Sequence, residues 1–297
     1  MRTFDAYPNR QMHLGSLAIS RLLPIRERRM VGPWCFLDRF GPLSFTDGKP
    51  MDVAPHPHIG LQTVTWLHEG EVVHDDSLGF ESVLRPGGVN VMTSGGGIAH
   101  AEQTPREHTG RLNGVQLWTA LPEAHRHGAP GFVQVPAVPS IERPAGVVEV
   151  FAGSIDGVAS PAPHYSELLG ADLRIHPGHA LDVPLHPTYE HAVLVMSGDC
   201  SLDGEALTER VLYYLGTTRD QARFSSRGGG RVLLIGGPPF PETIVMWWNF
   251  VARTPEEIAL ARTDWEEGRR FGDVPAYNGP RLSAPALAQL ARPNPLS

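Results

Sequence analysis

Four side chains able to bind a metal ion fall into two short pairs. His56 and His58 lie within Pro55-His56-Pro57-His58-Ile59-Gly60, and His100 and Glu102 close Gly95-Gly96-Gly97-Ile98-Ala99-His100-Ala101-Glu102. Residues two apart on a β-strand share a face, so each pair aims at one point. If the two strands are neighbours, three imidazoles and one carboxylate converge on a single cation. Four protein ligands leave coordination positions open on an octahedral ion, and open positions separate a reactive centre from a structural one. This donor set suits Fe, Mn, Co, Ni, Cu or Zn, and the affinity order favours copper. A lone His-x-His carries little weight in a chain with 14 histidines. The second pair is what gives the first its meaning. The triple glycine lets the backbone kink just before His100 and keeps bulk away from a pocket mouth.

The elements that must position these groups are short strands. The chain of 297 residues contains 32 Gly and 28 Pro, which favours strands and tight turns over long helices. In the first half, residues 61–67, 89–93 and 114–120 read as strands; in the second, 147–153, 171–175, 191–196 and 231–235 do. Ser197-Gly198-Asp199 and Asp203-Gly204-Glu205 read as turns. The proline-rich stretch from Pro130 to Pro144 reads as a linker with a strand around Phe132 to Val135. The pattern suggests one β module used twice: residues 1–133, a linker over 134–145, a second domain over 146–280, and a loosely packed tail over 281–297. One helix stands out. Thr254 caps it, Pro255 opens it, Glu256 and Glu257 suit its first turn, and it runs through Ile258 and Ala261 toward Trp265 and Gly268.

Composition excludes several classes. With 41% hydrophobic and 19% charged residues, the chain is globular rather than disordered. A net charge of −7 gives no electrostatic reason for direct nucleic-acid binding. The cluster Arg21, Arg26, Arg28 and Arg29 reads as solvated surface. Only Cys35 and Cys200 are present, which excludes a disulfide framework and fits a reducing cytoplasm. Neither a signal peptide nor a run long enough to span a membrane is visible.

The pattern HPHIGLQTVTWL…LRPGGVNVMTSGGGIAHAE resembles the pirin family of the cupin superfamily. Val31-Gly32-Pro33-Trp34-Cys35-Phe36-Leu37-Asp38 and Leu112-Asn113-Gly114-Val115-Gln116-Leu117-Trp118 add to the resemblance. It implies an all-β fold of two cupin, jelly-roll-like β-barrels packed face to face, with a short C-terminal helix and a metal in the N-terminal barrel alone. The implied ligands are His56, His58, His100 and Glu102. The implied ion is a single divalent transition metal, iron before Cu, Ni, Co, Mn or Zn. Many cupins carry a glutamate a few residues after the first His-x-His. Here Gln62 stands in that neighbourhood, so proton acceptance would fall to Glu102, as ligand and base together. In the second half, His186, Glu190 and His191 lack a second ligand pair, and no metal is expected there; His125 and His127 read as surface.

The resemblance implies a quercetin 2,3-dioxygenase-like enzyme. Its partners would be a small aromatic, flavonol-like substrate and O2, and its product carbon monoxide with the opened ring. Phe36, Phe40, Trp66 and Met92 are candidates to line an apolar pocket. The rival reading is a redox-sensitive metalloprotein that regulates transcription or metabolism through protein contacts. No membrane or nucleic-acid partner is expected, and the chain is expected to be a monomer.

Overall fold

A computed structural model describes residues 4–14, 17–48 and 50–287. The described residues form two β-barrels and one helix. The first barrel joins a seven-stranded sheet to a four-stranded one. The larger runs Gly131–Val135, Val89–Thr93, Leu61–Glu69, Arg111–Ala120, Trp34–Ser44, Leu17–Leu23, Arg10–Leu14. The smaller runs Asp52–His58, Ile98–Gln103, Val72–Asp76, Glu81–Leu84. The second barrel is a ten-stranded sheet centred on the long strands Glu190–Leu202 and Gln221–Gly237.

Period-two alternation gives the seven-stranded sheet two working faces. On Trp34–Ser44, Phe36, Asp38 and Phe40 point into the first barrel, whereas Leu37 points out. On Arg111–Ala120, Gln116 and Trp118 point in, and Val115 and Leu117 point out. The outward face, with Val64 and Trp66, joins Phe151, Ala192, Leu194 and Ile235 of the second barrel in one apolar cluster. Burial of this shared face against water is what holds the barrels together. The second barrel's interior is packed by apolar side chains such as Val150, Leu173, Val193, Val195, Phe224 and Leu234.

Polar groups fix the register of the two barrels. Asp172 of the second barrel is fully buried. It accepts from Trp66 Nε1 at 3.0 Å and lies 2.5 Å from His68 Nε2, both on the first barrel, while Arg231 Nε donates to it at 2.5 Å. Buried Arg39 crosses the same interface, donating to the Val195 and Met196 carbonyls at 3.1 and 2.6 Å.

Several boundaries differ from those read off the chain. Asp5–Pro8 pairs with Val211–Gly216, so the first strand belongs to the second sheet. Ser140–Arg143, inside the proline-rich stretch, is a strand paired with Gly146–Ile155. Ser197-Gly198-Asp199 is not a turn. Glu190–Leu202 continues through it, keeping its partner Gln221–Gly237 across register shifts on either side of Ser197-Gly198. Gly198, at φ +83°, absorbs the kink. Asp203 and Gly204 do turn the chain, both with positive φ (51° and 85°), between the paired residues Leu202 and Glu205. The arginine cluster is also corrected. Arg21 is ion-paired to Asp38 at 2.7 Å, and Arg28 lies 3.7 Å over the Tyr214 ring of the second barrel, so these two are not free surface charges.

The helix spans Pro255–Glu266, and the Thr254 side chain accepts from the Glu257 N–H. It returns the chain to the first barrel: Val245, Phe250, Ile258, Trp265 and Phe271 pack on Ile59, Ala99 and Ala101. Leu282 N–H then donates to the Pro55 carbonyl at 2.9 Å, docking the start of the expected tail beside the His56 strand; residues 288–297 lie outside the described residues. No helix among the described residues is long and apolar enough to cross a membrane. Cys35 and Cys200 are free and buried, and burial pushes the Cys35 thiol up to about 12.

Candidate metal centre

Strands Asp52–His58 and Ile98–Gln103 are antiparallel neighbours, with His100 opposite His56. One ring nitrogen each from His56, His58 and His100 lies within 4.8 Å of the others. His58 Nε2 and His100 Nε2 are 3.0 Å apart. Two nitrogens bound at about 2.1 Å to one ion at a right angle stand about 3.0 Å apart, so the spacing fits a shared first-row ion. The far nitrogens of two rings are committed to backbone. His56 Nδ1 lies 2.9 Å from the Ala54 carbonyl and His58 Nδ1 3.1 Å from the Asn249 carbonyl. Each proton therefore sits on Nδ1, which leaves the Nε2 lone pair for an ion.

Electrostatics agree with this. Burial lowers the His56 pKa from 6.5 to about 4. His58 and His100 are lowered too, by burial first and by neighbouring imidazoles second. The imidazoles are therefore neutral near pH 7, the form that binds metal.

Glu102 is buried and lines the same cavity, but its carboxylate stands outside the cluster of three nitrogens. Burial raises its pKa, opposed by His74 and by the Thr65 hydroxyl. The strand pair shifts register between His100 and Glu102, whose partners are His56 and Val53. The extra residue lies on the proline-containing strand, where Pro55 has no N–H to offer the ladder.

The cavity holds about 310 Å³. Its wall is a stacked pair, Phe36 on Trp118, with centroids 3.8 Å apart and planes within 9°. Trp118 presents its ring at 5.2 Å to His58, and Arg21 sits 4.5 Å over the other aromatic, Phe36. Arg21 Nε and Nη2 donate to the two Asp38 oxygens at 2.8 and 2.7 Å. Trp248, Asn249 and Leu282 close the cavity from the C-terminal segment.

Of the expected lining residues, Phe36 and Phe40 reach the cavity. Trp66 and Met92 are not among its lining residues. Trp66 faces the second barrel, where it stacks on Phe151 at 5.3 Å. Gln62 also faces that way, donating to Thr93 Oγ1 at 3.0 Å and to the Pro163 carbonyl at 3.2 Å. Glu190 accepts from Gly32 N–H at 2.6 Å and from the Tyr214 hydroxyl at 2.7 Å, as a tie between barrels. His186 is exposed, and burial lowers the pKa of His191 to about 4. His125 and His127 are exposed.

Sequence reading missed Trp118 as cavity wall, and Asn249, His74 and Asp76. His74-x-Asp76 repeats the two-apart signature of the ligand pairs and was legible on that ground. Asn249 acts through its backbone carbonyl, which no side-chain pattern announces.

Family models match in two places: "Pirin" over residues 16–119 and "Pirin C-terminal cupin domain" over residues 170–272. The chain belongs to the pirin family. This pirin is 46% identical over 275 residues to the Pseudomonas aeruginosa protein named "Putative quercetin 2,3-dioxygenase PA1205", covering 92% of this chain and 87% of the relative. It is 38% identical over 273 residues to a "Pirin-like protein" of Caulobacter vibrioides, covering 90% and 93%. A crystal structure of quercetin 2,3-dioxygenase from Acinetobacter baumannii superposes with a TM-score of 0.94 at 40% identity, covering 98% of this pirin and 97% of that chain.

Gly60 joins the His58 strand to Leu61–Glu69 at φ +68°, and a Cβ there would stand 2.0 Å from the Val251 carbonyl oxygen. Gly60→Ala is expected to cost about 3 kcal/mol or more, from positive φ plus a backbone clash. Urea denaturation measures it, and a loss below about 1 kcal/mol would contradict the close approach.

Proposed function

We propose that this pirin is a metal-dependent dioxygenase that opens flavonols such as quercetin, with iron held by His56, His58, His100 and Glu102. One observation carries the reading: three neutral imidazoles and a buried carboxylate share a cavity with a flat aromatic wall. The quercetin 2,3-dioxygenase names of the Pseudomonas and Acinetobacter relatives support it. When bound, the ion supplies Lewis acidity toward a substrate oxygen and redox reactivity toward O2.

The protein's own groups do the rest. The Phe36–Trp118 pair seats a planar ring system and orients its oxygens toward the imidazoles. Glu102 lines the cavity beside the imidazoles and, when its carboxylate swings off the ion, accepts the proton of the flavonol hydroxyl. The buried setting limits water at the reacting oxygen. Iron-loaded protein in air is expected to consume quercetin, read as loss of its visible absorbance together with carbon monoxide release. Glu102→Gln should cut kcat by about 10²–10⁴-fold, the usual worth of a positioned general base. Wild-type turnover no faster than free iron in the same buffer would end the oxygenase reading.

A second reading, regulation through protein contact, is favoured by the turn after Val72–Asp76. Leu78 and Phe80 are exposed there, 45% and 46%. Their backbone N–H groups are held by Asp76, which connects through His74 to His100. If oxidation state reaches this turn, amide exchange at residues 77–80 will differ between ferrous and ferric protein. Identical exchange would remove the basis for this reading.

A further inference from the structure

The three imidazoles are not backed alike. His56 and His58 give their far nitrogens to backbone carbonyls, whereas His100 Nδ1 lies 3.3 Å from Nδ1 of a fourth histidine, His74. His74 Nε2 lies 3.1 Å from Asp76 Oδ2. The other carboxylate oxygen, Oδ1, accepts from the N–H groups of Leu78 at 2.8 Å and Phe80 at 3.1 Å. Asp76, His74 and His100 are 1%, 3% and 1% exposed. His74 is also stacked on Phe132, centroids 4.2 Å apart and planes within 10°, so its plane is fixed. Ser77 clamps the neighbouring strand: its N–H donates to the Ala99 carbonyl at 2.9 Å, and its hydroxyl accepts from Ala99 N–H at 3.2 Å.

Hydrogen-bond chemistry gives this chain one direction. An imidazole that lends its Nε2 lone pair to a cation carries its proton on Nδ1. His74 Nδ1 must then accept that proton's hydrogen bond. The single proton of neutral His74 therefore lies on Nε2, pointing at Asp76. Only an acceptor suits that end, and the Asp76 carboxylate is one. It cannot rotate away, because two backbone N–H groups hold it. Granted the metal centre proposed above, we infer that Asp76, acting through His74, is a positioning residue for His100. It sets the tautomer and plane of that ring and strengthens its Nε2 as a donor, which neither carbonyl-backed ligand shares.

The discriminating variant is Asp76→Asn, which keeps shape and removes the charge. An amide nitrogen turned toward His74 Nε2 would donate there. The His74 proton would move to Nδ1, where it opposes the Nδ1 proton of a metal-bound His100. Zn²⁺ serves as the probe, with affinity read by chelator competition and ring protonation by ¹⁵N NMR of histidine-labelled protein. Wild type is expected to show His100 protonated on Nδ1 and His74 on Nε2 with Zn²⁺ bound. Asp76→Asn and His74→Phe are each expected to bind Zn²⁺ about 10–100-fold more weakly, the range for lost partners of metal ligands. In iron-loaded protein, Asp76→Asn is expected to move the reduction potential in the positive direction, because a weaker donor stabilises the ferric ion less.

Zn²⁺ affinity within about twofold of wild type in both variants would overturn the inference while leaving the metal centre standing. So would Zn²⁺-loaded wild type with its His74 proton on Nδ1, a result that needs no variant to fold. Wild type that fails to bind Zn²⁺ at all would remove the metal centre itself, a separate and recognisable outcome.

Discussion

On the proposed function, His58→Ala is expected to yield a folded protein that no longer retains a first-row transition ion and no longer opens flavonols faster than buffer. Four-ligand sites with apparent binding free energies of about 10–16 kcal/mol place about 3 kcal/mol on each ligand, or about 10²–10³-fold in affinity. His58 is central to the cluster: its Nε2 is 3.0 Å from that of His100, and its ring meets Trp118 at 5.2 Å. The substitution therefore removes a donor and loosens the aromatic wall together. Metal content after dialysis and chelator competition read the first effect; flavonol decay reads the second. Retention should also depend on pH in a defined direction. Burial holds His56 at about 4, below the ordinary 6.5, so protons compete with the ion only at lower pH than for exposed histidine. Wild type should keep its ion on acidification to pH 5. Release already centred at pH 6.5 would show that these rings are not buried as described.

The second large effect lies at the contact between the two barrels. Asp172→Ala is expected to destabilise the protein by about 3–5 kcal/mol, the cost of leaving buried partners without their counter-charge. Its carboxylate gathers His68 and Trp66 from one barrel and Arg231 from the other. Burial pushes its pKa up, but His68 and then Arg231 outweigh burial and hold it at about 2, below the ordinary 3.8. The sign follows by linkage. A carboxyl with a depressed folded-state pKa stabilises the fold above its unfolded value, and the contribution fades as pH falls from 3.8 toward 2. Urea denaturation should therefore show a stability deficit in the variant at pH 7 that narrows as acid is added through that window. A deficit below about 1 kcal/mol at pH 7 would mean that the Asp172 carboxylate does not help to dock the barrels.

What was legible in the chain was local. The His56–His58 and His100–Glu102 pairs were readable because strand geometry puts residues two apart on one face, whatever lies around them. The Thr254 cap and the Asp203-Gly204 hairpin were readable because side-chain capping and positive φ are properties of a few neighbouring residues. Ser197-Gly198-Asp199 has the same composition as a turn, yet the strand runs through it. Its partner strand, Gln221–Gly237, is longer still and continues pairing on both sides, which outweighs the local signal.

Trp66 shows the same limit for side chains. Its apolar ring suits a pocket or an interface equally, and only the neighbouring barrel, with Asp172 and Phe151, decides for the interface. Arg21 looked like surface charge until Asp38 stood opposite it on the next strand. The chain by itself determined the same-face spacing of His56 with His58 and of His100 with Glu102, the β character and the helix start, since each follows from spacing and backbone preference within a few residues. Tertiary structure alone decided that the first strand joins the second sheet, that Asn249 backs His58, and that His74 and Asp76 stand behind His100. Those are pairings between distant residues, where burial and hydrogen-bond satisfaction across the whole fold choose the partner.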